Sequence, residues 1–197
     1  MKHAVLVLFI LGAVTFSGQA QGIPSEKDQI TAALLAAPAE LRDGAMVYGY
    51  NAKGELAVLR KGTNSLICLG DDPKQAGINV SAYHTDLEPF MARGRALKGE
   101  CKSFQEIFDI REAEVKAGKL KMPTNPSTLY VFTADGMDAA GAPINGYLRY
   151  VIYIPFATSE STGLPLKPTF PGQPWIMDPG THRAHIMISP PMPEKKK

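Results

Sequence analysis

Two short stretches of this 197-residue chain hold the side chains best suited to acid–base or metal chemistry. In YHTDLE, His84, Asp86 and Glu88 stand where an alternating apolar segment gives way to an amphipathic one. If a helix starts near Asp86, both carboxylates lie in its first turn, facing free N–H groups and the positive end of the dipole. That alone accounts for the acids. The functional alternative puts the His84 imidazole at a sheet rim, converging with Glu88 on a metal or a substrate proton. In the second stretch, PWIMDPGTHRAHIMI, the turn signal Asp178-Pro179-Gly180 precedes His182 and His185. With one ring in a turn and the other on a strand, the two need not point together. On that strand Ala184, Ile186 and Ile188 share one face and His185 and Met187 the other, which suits an interior histidine better than a ligand. A metal centre from His84, Glu88, His182 and His185, with Asp178 as a further donor, needs all of them roughly 2–2.2 Å from one zinc-like ion.

Other candidates are weaker. Hydroxyls surround Glu160 in ATSESTGLP (157–165), a composition that can hold a sugar or a cation and is equally ordinary for a loop. Trp175, the single tryptophan, reads as a seal on the core edge beneath the proline-rich connection. Tyr147, Tyr150 and Tyr153 fall on both faces of a strand, as packing residues do, and do not form a base-stacking platform. No GxSxG, SxxK, HExxH, Walker A, GxGxxG or calcium-loop pattern occurs, so any site must be assembled from distant residues.

Cys68 and Cys101 are the only cysteines. An exported protein meets oxidising conditions, and a bridge between them would close a loop containing a strand and a helix. Such a bridge is expected to contribute roughly 3–4 kcal/mol by chain entropy. The alternative is that Cys68, inside SLICL, is a buried free thiol. Neither cysteine has a CxxC or protease-like neighbourhood.

These residues need a scaffold, and the hydrophobic pattern supplies one. Ser25–Ala36 reads as a helix capped by Ser25 with Asp28, carrying an apolar stripe of Ile30, Ala33, Leu34 and Ala37. Ala45–Tyr50, Glu55–Arg60 and Ser65–Leu69, separated by turn residues, read as a β-meander, and Ile78–Tyr83 as a fourth strand. A capping box of Thr85 with Glu88 opens a helix to about Leu97 that buries Leu87, Phe90, Met91 and Leu97. A second box, Ser103 with Glu106, opens a helix to about Ala117 that buries Phe104, Ile107, Phe108 and Val115. Thr128–Thr133, Tyr147–Phe156 and Ala184–Ser189 return to strand. Grouped helices and no composition break predict a single α+β domain over 21–189, with a mainly antiparallel sheet of six or seven strands and about three helices.

The chain opens with Met1-Lys2-His3, an apolar run from Ala4 to Phe16, and small residues before Ala20. This is the pattern of a cleaved signal peptide over residues 1–20, and it is too short to span a bilayer core. Its removal leaves twenty basic against nineteen acidic residues, three of the former in the Pro/Lys-rich tail at 190–197. A near-neutral body gives no field for nucleic acid or anionic lipid. No further transmembrane segment is expected. The protein is therefore expected in the periplasm or outside the cell.

The stretches VLRKGTNSLICL, RYVIYIPFATSESTGLP and PWIMDPGTHRAHIMI resemble segments of an uncharacterised family of exported bacterial proteins with no assigned activity. The resemblance implies export and lends no catalytic residue. The leading expectation is a non-enzymatic binding or interaction module without a cofactor, meeting a protein or glycan partner. The rival is a metal-binding protein or metal-dependent hydrolase, holding a divalent ion such as zinc at the four residues named above.

Overall fold

The computed structural model describes residues 22–192. Residues 1–20, expected from their sequence to be a signal peptide, and the lysines at 195–197 lie outside the described residues. Helix α1 (Glu26–Ala33) starts as its sequence dictates: the Asp28 N–H donates to Ser25 Oγ at 3.2 Å, and the Ser25 hydroxyl donates to the Asp28 carboxylate at 2.7 Å. Two 3₁₀ turns, Leu34–Ala36 and Ala39–Leu41, carry the chain off this helix. Gln29 is the one polar side chain that α1 buries. Its amide donates to the carbonyls of Pro24 and Tyr50, both at 2.9 Å, and accepts the Tyr50 N–H at 2.7 Å.

Eight strands form one mixed sheet: β1 (Met46–Tyr50), β2 (Leu56–Arg60), β3 (Leu66–Leu69), β4 (Ile78–His84), β5 (Ser127–Ala134), β8 (Tyr147–Tyr153), β9 (Trp175–Met177) and β10 (His185–Ile188). Their order is β2-β1-β3-β4-β5-β8-β10-β9. A small hairpin, β6 (Gly136–Met137) with β7 (Pro143–Ile144), interrupts the connection from β5 to β8. The fold is thus α+β and mainly antiparallel, with more strands than the pattern predicts. Two additions, the hairpin and β9, are too short to show alternation.

The expected meander is corrected at its third strand. β2 pairs antiparallel with β1, but β3 then pairs parallel with β1 on its other side. The link between β2 and β3 must therefore pass over the start of β1. Gly62 is where it crosses: a Cβ there would lie 2.6 Å from the Met46 backbone nitrogen. The crossing is pinned by the N–H groups of Thr63 and Asn64, which donate to the Gly44 carbonyl at 2.7 and 3.1 Å.

The sheet buries both faces. On one, α1 and its 3₁₀ turn cover Val47, Leu66, Cys68, Val80, Ala82 and Phe132. On the other, Ile67, Tyr83, Leu129, Val151 and Tyr153 pack with Leu87 and Phe90. This second face is covered by α2 (Glu88–Gly99) and α3 (Phe104–Lys116). Each large apolar side chain removed from water there contributes about 1.5–3 kcal/mol.

Both helices depart from expectation in detail. The box of Ser103 with Glu106 caps α3 as predicted. At the start of α2, however, Thr85–Leu87 is a 3₁₀ turn capped by His84, and Glu88 turns away to other partners. Phe104, expected in the core, is 66% exposed, while Arg111 is buried in its place. The loop expected at 157–163 contains a short helix, α4 (Ser159–Thr162), capped by Thr158 and Ser161. The hydroxyls suggested for a sugar or a cation are spent on that cap and on backbone carbonyls.

The predicted disulfide is also corrected. Cys68 and Cys101 are not bonded. Cys68 points into the core beneath α1, whereas Cys101 is exposed just past the end of α2, on the opposite side of the sheet. A bridge would have to pass through the sheet.

Candidate functional site

Strand geometry separates the four residues suggested for a metal. His84 ends β4, and alternation from the buried Tyr83 puts it on the α1 face. His185 begins β10 on the opposite face, in register with Tyr153. β10 lies three strand positions from β4, about 14 Å at the usual spacing. His84 Nδ1 accepts the Asp86 N–H at 3.3 Å and so serves as a cap. Glu88 accepts the Tyr83 hydroxyl at 2.6 Å and pairs with Arg95 at 2.6 Å, and Arg95 in turn donates to the Tyr83 oxygen at 3.0 Å. Burial, with Glu88 adding to it, raises the Tyr83 phenol far above its ordinary value. It stays a donor.

Chain segments remote in sequence do meet around His182. The turn after β9 locks onto the end of β8: the Phe156 N–H donates to Thr181 O at 2.8 Å and the Gly180 N–H to Ala157 O at 2.7 Å. Phe156 and Asp178 both take left-handed backbone, with φ of 64° and 53°. Non-glycine residues adopt this region at a cost, so the junction is held by its surroundings. The His182 side chain is fully buried, edge-on to Phe90 and Phe108 at centroid distances of 5.6 and 5.0 Å. Glu112 of α3 receives both the His182 backbone N–H, at 2.8 Å, and the ring Nδ1. Its other oxygen pairs with Lys116 at 2.6 Å.

The electrostatics of this cluster follow from burial and pairing. Burial works to raise the Glu112 carboxyl, but the bonds from Lys116 and His182 outweigh it and hold the group at about 2. Burial lowers the His182 and His185 imidazoles, so both are neutral near pH 7. With Nδ1 donating to Glu112, the acceptor of His182 is Nε2, which is buried and has no partner among the described residues. His185 Nδ1 bonds the Arg183 carbonyl at 2.7 Å, and its ring packs on Tyr153 at 5.3 Å. Arg111 lies over the Phe90 ring at 3.9 Å and donates to the Phe90 carbonyl at 3.3 Å. Gly94 of α2 makes room for it, since a Cβ there would stand 2.9 Å from the guanidinium. Desolvation lowers Arg111 to about 10, leaving it charged. Arg183 pairs with Asp178 at 3.0 Å and covers the exposed Phe104 ring at 5.1 Å. Among the described residues, no group of three or more His, Cys, Asp or Glu is placed to hold a metal ion. The cluster ties α3 to the β9–β10 turn, and no cavity opens onto it among those described below.

The space for a ligand is at the other end of the sheet. A solvent-open cleft of about 530 Å³ lies between the start of α1, the loop at 71–77 and the β6–β7 hairpin. Asp28, Thr31, Asp71, Gln75, Ile78 and Met137 line it. Its volume falls within the range of about 300–1,000 Å³ common for small-molecule sites. Sequence reading assigns Asp28 to a helix cap and Asp71 to a polar loop, and no local motif joins them. A second, shallower depression of about 390 Å³ is bordered by Tyr147, Phe170, Pro190 and Met192. No protein-family model, no curated protein and no solved structure matches this chain.

Proposed function

We propose that this chain is a ligand-binding module, exported by its leader, and that a small molecule seats in the cleft beside the start of α1. The reading of export rests on the apolar leader and on the resemblance to exported bacterial proteins. The observation that carries the binding site is the cleft itself: ligand-sized, walled by Pro24, Ala32, Pro73, Ile78 and Met137, and bordered by two carboxylates. The interior histidines support it by contrast, because the Nδ1 atoms of His182 and His185 are engaged by Glu112 and the Arg183 carbonyl and neither of the two clefts is lined by them.

A thermal-shift screen of the purified protein against a fragment library tests this reading. A ligand that binds only the folded state adds about 2.7 kcal/mol at a hundredfold excess over its dissociation constant. Thr31 is exposed on the cleft wall, so Thr31→Trp fills the space without entering the core. Fragments should raise the melting temperature of the parent and lose that effect in Thr31→Trp. Shifts that survive Thr31→Trp, or no shift at all, would reject the cleft. A shift with divalent ions that is lost in His185→Ala would favour the metal reading instead.

A further inference from the structure

We infer, resting on the reading of the cleft as a ligand site, that its ligand is a small organic cation: an aliphatic amine whose ammonium group lies beside Asp71 and whose hydrocarbon part lies against Ile78 and Met137. The argument begins with charge. Asp28 and Asp71 both border the cleft, and no lysine, arginine or histidine lines it. None of the ion pairs among the described residues involves either acid, although the neighbouring Asp72 lies 3.9 Å from Lys98. Asp71 is half-buried, and its Oδ1 accepts the Asn79 N–H at 2.9 Å, which fixes the carboxylate at the cleft wall. Asp28 is fixed by the Ser25 hydroxyl at 2.7 Å. Asp71, half-buried and anchored at the wall, and the exposed Asp28 on the same lining give the cleft a negative potential with no counter-charge among the lining residues.

The kind of cation follows from what else is present. Calcium takes six to eight oxygen ligands, and no triad of acids is placed to supply a metal site among the described residues. Quaternary ammonium groups are held by aromatic faces, and the cleft lining contains no aromatic residue. A primary ammonium instead donates directly to carboxylates, and its chain can bury methylenes against Pro73, Ile78 and Met137. Burial, with the charge of Asp72 adding to it, already pushes the Asp71 carboxyl above its ordinary value. An adjacent ammonium relieves that cost by favouring the charged form.

Titration calorimetry on the purified protein separates the possibilities. The probes are 1,4-diaminobutane and 1,6-diaminohexane, the diols of the same lengths, tetramethylammonium and calcium. The diamines should bind and the diols should not. Asp71→Asn, which keeps an oxygen for the Asn79 N–H, should weaken diamine binding about tenfold while preserving the parent melting profile. Asp28→Asn should weaken it in the same direction. Diols binding as tightly as diamines, or unchanged diamine affinity in both variants, would overturn the assignment of a cation. If Thr31→Trp abolished that binding, the cleft would stand as a site for a neutral ligand. If no amine bound at millimolar concentration, this inference alone would fall, since the fragment screen tests the cleft independently.

Discussion

Replacing Glu112 by Gln tests the electrostatic account of the interior, because one carboxylate there serves two parts of the chain. Glu112 joins α3 to the β9–β10 turn through the backbone N–H and the ring of His182. A carboxyl held at about 2 instead of 4.5 favours the folded chain by about 3 kcal/mol when ionised. The oxygen facing Lys116 is nearer the surface, so we discount this to about 2 kcal/mol for screening. Glu112→Gln keeps an acceptor for the His182 N–H and removes the charge. It should lose about 2 kcal/mol at pH 7, or about 4–8 °C in Tm for a domain of this size. Glu112→Ala should lose a further 1–3 kcal/mol or so, because the buried N–H and ring Nδ1 of His182 would have no acceptor.

The sign of the pH dependence makes the test sharper. The folded-state carboxyl titrates below its unfolded value, so its contribution is complete above about pH 4.5 and disappears as pH falls towards 2. Urea unfolding of the parent and Glu112→Gln at pH 7, 5 and 3 should give a gap that is constant between the first two and narrower at the third. A variant as stable as the parent at pH 7 would refute the pairing. A gap that stays the same at pH 3 would show that shape, and not charge, is what Glu112 supplies.

Two further perturbations examine the fold. Gly62→Ala should cost about 1–3 kcal/mol, because the new methyl meets the Met46 backbone at 2.6 Å and the crossing loop has to shift; an unfolding midpoint equal to the parent's would contradict the tight crossing. Thiol counting under denaturing, non-reducing conditions should find two free cysteines, and a reductant should leave the melting temperature unchanged; a count of zero would restore the Cys68–Cys101 bridge.

What could be read from the sequence was local. The caps at Ser25 and Ser103 each need one side chain and an N–H three residues on, and both are formed. The long strands are periodic and fall where the pattern puts them. The faces of β10 are also as the alternation predicts, with His185 and Met187 aligned with Tyr153 and Val151. What failed was pairing over distance. A five-residue link after β2 reads as a meander turn, and only the close approach at Gly62 reveals that it crosses β1. The expected Cys68–Cys101 bridge fails on the same non-local ground. Spacing in the chain says nothing about which face of the sheet each cysteine occupies. Arg111 carries no local signal, since a charged residue on a helix reads as solvated, whereas here Phe90 and the gap at Gly94 accept it.

The candidate cleft is illegible for a related reason, and the sheet order explains where it forms. β4 and β5 pair so that Ile78 faces Ala134, which brings the loop before β4 and the hairpin after β5 to one end of the sheet. α1 is held over that end because Gln29 bonds both Pro24 and Tyr50. Asp28 and Asp71 therefore come to border one cleft through two independent constraints, a helix clamp and a strand pairing. Neither constraint requires the carboxylates: Ser25 alone can accept the N–H that caps α1, and an asparagine at 71 would still accept the Asn79 N–H. Asp28 also answers the positive end of the α1 dipole. But the Asn79 N–H needs an acceptor at 71 and not a charge, so the Asp71 charge, on a cleft lining without a cation, is available to what enters the cleft.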